Sequence, residues 1–98
     1  MNEGVTFLVA IDSYIIRKGI VSILKNISGA EILLDTDNPD ILKNKLKNEE
    51  PDFILLSPAL LKKSSQLFEE NLSLAEKTIL LTHQHERQVA NTYASILI

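Results

Sequence analysis

Residues 5–34, VTFLVAIDSYIIRKGIVSILKNISGAEILL, read as strand, helix, strand with almost nothing between them. The first seven, VTFLVAI (5–11), are nearly all apolar, the pattern of a strand covered on both faces rather than one open to water on one side. Asp12 and Ser13 follow, either of which can cap a helix. Ile16, Ile20, Ile23, Leu24 and Ile27 then fall on one helical stripe, with Lys18, Ser22 and Lys25 on the other side. Gly29 suits a helix C-terminus, and AEILL (30–34) is a second strand. A strand, a crossover helix and a second strand predict a parallel pair.

The alternation continues outward from this unit. Asn38-Pro39 pairs an N-cap with a proline at the first helical position, Asp40 is an acid in the first turn, and Ile41, Leu42 and Leu46 form the apolar stripe of a helix ending near Asn48. Pro51 breaks the chain before DFILL (52–56), the most clearly central strand, which Ser57-Pro58 ends. Residues 60–71 predict a loop and then a short helix bearing Leu67 and Phe68. KTILLT (77–82) is a fourth strand, 86–92 a short helix and ASILI (94–98) a fifth strand. The sum is a (βα)₄β pattern, hence an α/β fold with a doubly wound, parallel, five-stranded sheet. Ligand sites in such sheets lie at the C-terminal strand ends, here Ile11-Asp12, Asp35, Ser57-Pro58 and Thr82-His83.

Composition narrows the function classes. The 98 residues carry 10 basic and 13 acidic side chains and no cysteine. A net charge of −3 is the wrong sign for a domain that grips phosphate backbones by itself. Disulfide frameworks and cysteine-based metal sites are excluded. No apolar run approaches the roughly 20 residues that span a bilayer, and no basic segment opens the chain. The expectation is a cytoplasmic protein with no membrane contact. The apolar run reaching Ile98 suggests a fragment, or a strand covered by something outside it.

Three segments carry a resemblance: LVAIDSYIIRKGIVSIL (8–24), PDFILLSP (51–58) and ILLT (79–82). Together they resemble the receiver domains of bacterial response regulators, most closely those of the LuxR/NarL type, in which Arg17 and Gly19 are the most typical touches. The resemblance spans nearly the whole chain and implies the flavodoxin-like, CheY-like fold, here lacking its last helix, with a helix-turn-helix output domain beyond residue 98. Receivers hold an acidic pair for Mg²⁺, a phosphoacceptor Asp, a switch Ser or Thr and a Lys. Matched residue by residue, the acidic pair falls on Ile11 and Asp12, the phosphoacceptor on Ser57 and the switch hydroxyl on Thr82; the Lys would lie at or beyond Ile98.

Ile11 cannot ligate a metal, and a serine hydroxyl cannot form an acyl phosphate. The resemblance therefore implies a non-catalytic, phosphorylation-independent regulatory and dimerisation domain with no cofactor and no metal. DNA would be reached only through the following domain, and residues 86–98 would contribute to a homodimer contact. A second reading keeps the fold and treats Ile11, Ser57 and Thr82 as a pocket for a small ligand or partner protein. Each residue also has a plain reading: Asp12 as a helix cap, Ser57 as a turn residue, Thr82 as a packed strand residue. His83 and His85 lack companion ligands for a metal, and Lys43, Lys45 and Lys47 read as a solvated helix face.

Overall fold

The computed structural model describes residues 4–82 and, as backbone, the strand Ala94–Leu97. In chain order the elements are β1 (Val5–Ala10), α1 (Tyr14–Lys25), β2 (Ala30–Thr36), α2 (Pro39–Asn48), β3 (Phe53–Leu56), α3 (Pro58–Lys63), α4 (Ser65–Glu70), α5 (Leu72–Glu76), β4 (Thr78–Thr82) and β5 (Ala94–Leu97). Strands β1 to β4 form a parallel sheet, and the backbone of β5 pairs parallel to β4, giving the order β2-β1-β3-β4-β5. The chain reverses direction across the sheet between β1 and β3. In flavodoxin-like sheets that reversal is the switch point where ligands bind.

Strand alternation divides the core into two layers. Leu8, Ala10, Ile54, Leu56 and Leu80 face one side, where Leu42, Leu60, Leu61, Phe68 and Leu74 from α2 to α5 cover them. Val9, Ile11, Leu55 and Leu81 face the other, where α1 contributes Val21 and Leu24. The double coverage explains why the strands are apolar without alternation.

Helix α1 starts at Ser13, whose Oγ accepts the N–H of Ile16 at 3.3 Å; Asp12 is exposed and does not cap it. The face turned to the sheet also differs from the expected stripe. Arg17, Val21 and Leu24, at i, i+4 and i+7, are buried, whereas Ile23 and Ile27 are 61% and 50% exposed. Ile16, Ile20 and Leu24 of the expected stripe do pack against the sheet, but rotating the contact face toward Val21 leaves Ile23 and Ile27 outside. In α2 the Asn38 side chain caps Asp40 and Ile41 N–H groups, and Leu42 is buried while Ile41 is 47% exposed. Gly29 closes the α1–β2 connection with a φ of 86°, a conformation only glycine adopts without strain.

Residues 58–76 hold three short helices rather than the expected loop and single helix. Ser57-Pro58 is a helix start, with Pro58 at the first position as in Asn38-Pro39, so the chain turns directly from β3 into α3. Strand β2 runs two residues beyond the expected end and carries Asp35 and Thr36 to the sheet edge. The helix expected at 86–92 lies outside the described residues, as do His83 and His85. Among the described residues no helix is long and apolar enough to cross a membrane.

At the opposite sheet edge Asp52 and Thr6 bind each other. The Asp52 carboxylate accepts the Thr6 N–H at 2.8 Å and its hydroxyl at 3.1 Å, joining the starts of β1 and β3. The Thr6 backbone N–H first and its hydroxyl next hold this carboxyl below its ordinary value against the opposing effect of desolvation, with Lys77 the weakest contributor. A lowered folded-state pKa adds stability above the ordinary carboxylate value near 4 that is lost as pH falls through the depressed one. Asp52→Asn is therefore expected to lose stability at pH 7 and to show a shallower fall of urea midpoint between pH 5 and pH 2. An acid limb identical to that of the native chain would disprove the linkage.

Candidate functional site

The switch-point edge is built from the ends of β1, β2, β3 and β4. The turn leaving β1 is fixed on every side. Ile11 donates its N–H to the Thr36 carbonyl at 3.1 Å, and its own carbonyl accepts from Arg17 Nη1 at 2.9 Å. Asp12 donates its N–H to Ser57 Oγ at 3.2 Å, while the Ser57 N–H reaches the Ala10 carbonyl at 3.1 Å. A side-chain hydroxyl thus continues the β1–β3 ladder where the strands diverge.

Arg17 organises the β2 side. Its Nε donates to Asp35 Oδ1 at 2.8 Å, and Lys18 Nζ reaches Asp35 Oδ2 at 2.7 Å. The Arg17 side chain is 9% exposed, Asp35 21% and Lys18 47%. The guanidinium also lies 5.5 Å from the Tyr14 ring centre. A nearly buried cation is tolerated only with a charged partner and satisfied donors, and Asp35 and the Ile11 carbonyl supply both. Asp35 was legible in the sequence as an edge residue. Arg17 as the group joining α1, β1 and β2 was not, because a charge on an otherwise apolar stripe reads as an interruption.

Ile11, Ser57 and Thr82 lie together at this edge at 2%, 4% and 1% exposure, while Asp12 points to solvent. The Ile11 side chain belongs to the apolar core beneath α1. The Ser57 hydroxyl is occupied by the Asp12 N–H, with no basic side chain bonded to it among the described residues. These donors do not fit Mg²⁺. The metal needs hard oxygens in near-octahedral array, and here one carboxylate is free, one neighbour is an isoleucine, and Asp35 is engaged by two cations. Among the described residues no three His, Cys, Asp or Glu side chains group as metal ligands.

The chain matches no family model, no curated protein and no solved structure. The site's meaning rests on its own geometry. Of the grooves lined by described residues, one lies away from this edge and one adjoins it at Asp35. One of about 460 Å³, floored by Leu46, Leu67 and Leu74, opens at the end of the sheet opposite Ser57. Another of about 400 Å³ runs along Lys18, Ser22, Lys25 and Asp35.

Proposed function

We propose that this chain is a non-catalytic, receiver-like regulatory domain of the response-regulator type, working without phosphorylation. One observation carries the reading. At the switch point of the sheet the position resembling a metal-binding acid is a core isoleucine, and the position resembling the phosphoacceptor is a buried serine committed to the Asp12 N–H. The strand order and the apolar strands support the receiver-like fold. Arg17 supplies, from within the chain, a cation beside the edge, bonded to the Ile11 carbonyl and Asp35. The edge is thereby fixed in one arrangement by internal bonds, and regulation would pass through contacts with other macromolecules, including DNA through a following helix-turn-helix domain.

Exposure to acetyl phosphate with Mg²⁺ tests the reading. The expected result is no mass increase of a phosphoryl group and no shift of the thermal midpoint with Mg²⁺ alone. Acid-stable phosphate on Ser57, or base-labile phosphate on Asp12, would overturn it.

The reading that the edge instead holds a small ligand gains no support from the burial of Ser57 and Thr82.

A further inference from the structure

Strand β2 is the outer strand of the sheet, and among the described residues only β1 pairs with it. Its other side carries backbone N–H and C=O groups with no ladder partner, along a strand whose centre is the apolar run Ile32, Leu33 and Leu34. An edge of this kind takes on a further strand unless something blunts it. The register against β1 slips by one residue at Leu33, since Phe7 faces Ile32 and Leu8 faces Leu34. The bulge increases the local twist, which disfavours a long flat strand such as a second β2 and suits a short one.

A groove flanks this edge on each face of the sheet. On the α1 side, one of about 400 Å³ has Val21 in its wall and Lys18, Lys25 and Asp35 along it. On the α2 side, one of about 260 Å³ is lined by Leu34, Ile41 and Lys45. The two differ in charge. Asp35 is shared between Arg17 and Lys18, and exposed Lys25 pairs with no carboxylate among the described residues, so the first groove keeps an excess of positive charge. In the second, Lys45 is paired with Glu49, while Ile41 leaves 47% of its surface open. That groove is neutral and apolar.

A strand laid along β2 sends alternate side chains to opposite faces, one set toward each groove. Seven helical steps separate Lys18 from Lys25 and Ile41 from Asn48, about 10 Å in each case. Side chains on one face of a strand repeat every ~7 Å, so each groove has length for two. We infer that the outer edge of β2 is a docking site for a short extended peptide of another protein, in which acidic residues alternate with apolar ones. Main-chain pairing to β2 holds the segment, and the two grooves select it. The inference deepens the regulatory reading by naming a contact, and it rests on that reading for its biological meaning while its geometry rests on β2 and the two helices beside it.

The test titrates the 98-residue chain with acetyl-Val-Glu-Val-Glu-Val-amide and follows the backbone amides by NMR. Saturable shifts are expected along β2 and the facing sides of α1 and α2. The peptide with Lys in place of Glu is expected to bind about tenfold more weakly, and Lys25→Glu to narrow or reverse that preference. Ile41→Lys, at an exposed position, is expected to abolish binding with far-UV circular dichroism unchanged. Methylating the backbone nitrogens of either the Val or the Glu set separates ladder pairing from side-chain contact. One methylated peptide is expected to bind as the parent does and the other not at all, because only one set faces β2. Absence of shifts in β2, equal binding of the Glu and Lys peptides, or equal loss with both methylated sets would each overturn the inference. So would sedimentation showing that β2 is occupied by a second copy, as a dimer lost in Ile41→Lys that no peptide displaces. Phosphoryl uptake from acetyl phosphate would overturn the regulatory reading and leave the titration result intact.

Discussion

Replacing Asp35 by alanine is expected to destabilise the fold by about 2–3 kcal/mol, below the 3–5 kcal/mol typical of breaking a fully buried ion pair because its carboxylate is partly hydrated. The loss falls on Arg17. Its side chain is 9% exposed, and without Asp35 the guanidinium keeps only the Ile11 carbonyl and the face of Tyr14. Lys18→Ala removes the second cation on the same carboxylate but from a side chain 47% exposed, so about 0–1 kcal/mol is expected, as for surface pairs. Urea unfolding of the two single variants separates these cases. Arg17→Leu combined with Asp35→Ala is expected to cost less than the sum of its parts, because neither charge is then left alone, with a coupling of about 1–3 kcal/mol. Equal losses for Asp35→Ala and Lys18→Ala would mean that Arg17 is hydrated in solution and does not fix the β1 turn.

That turn shows what a sequence can and cannot disclose about this chain. The strands were legible because a sheet covered on both faces demands uninterrupted apolar runs, and VTFLVAI and FILL meet the demand. The faces of α1 were not. Its isoleucines are spread so widely around the helix that several stripes satisfy the period, and the one used is chosen by Val21 and by the Arg17–Asp35 pair, a partnership across 18 residues that no local spacing signals. Helices α3 to α5, of six, six and five residues, are too short for periodicity to register. Their start could still have been found, since Ser57-Pro58 repeats the cap-and-proline signal of Asn38-Pro39. The pattern of strand ends places Ile11, Asp12, Ser57 and Thr82 at one edge of the sheet, but it does not show how their polar groups are bonded. Closure of Ser57 by the Asp12 N–H depends on the divergence of β1 from β3, which only the assembled sheet defines.

The same closure makes Ser57→Asp costly. A carboxylate placed at a position 4% exposed loses the hydroxyl that accepts the Asp12 N–H and enters a region with no cation bonded to it among the described residues. An unpaired buried charge of this kind is expected to destabilise the fold by about 3 kcal/mol or more at pH 7. The single variant therefore does not become a working phosphoacceptor; it becomes a less stable protein. Adding Ile11→Asp beside it places a second carboxylate in the apolar layer beneath α1 at a position 2% exposed, and with exposed Asp12 the ends of β1 and β3 then carry three carboxylates that a bound cation would have to draw together. Without metal the double variant is expected to be the least stable of the set. With Mg²⁺ in the millimolar range its thermal midpoint is expected to rise steeply, because an ion bound only by the folded state stabilises it by mass action, whereas the native chain does not respond. Circular dichroism melts of the native, single and double variants with and without Mg²⁺ decide the matter. A folded double variant indifferent to Mg²⁺ would mean that Ile11, Asp12 and Ser57 do not converge as the acidic site of a receiver does, and the receiver-like reading of this edge would have to be given up.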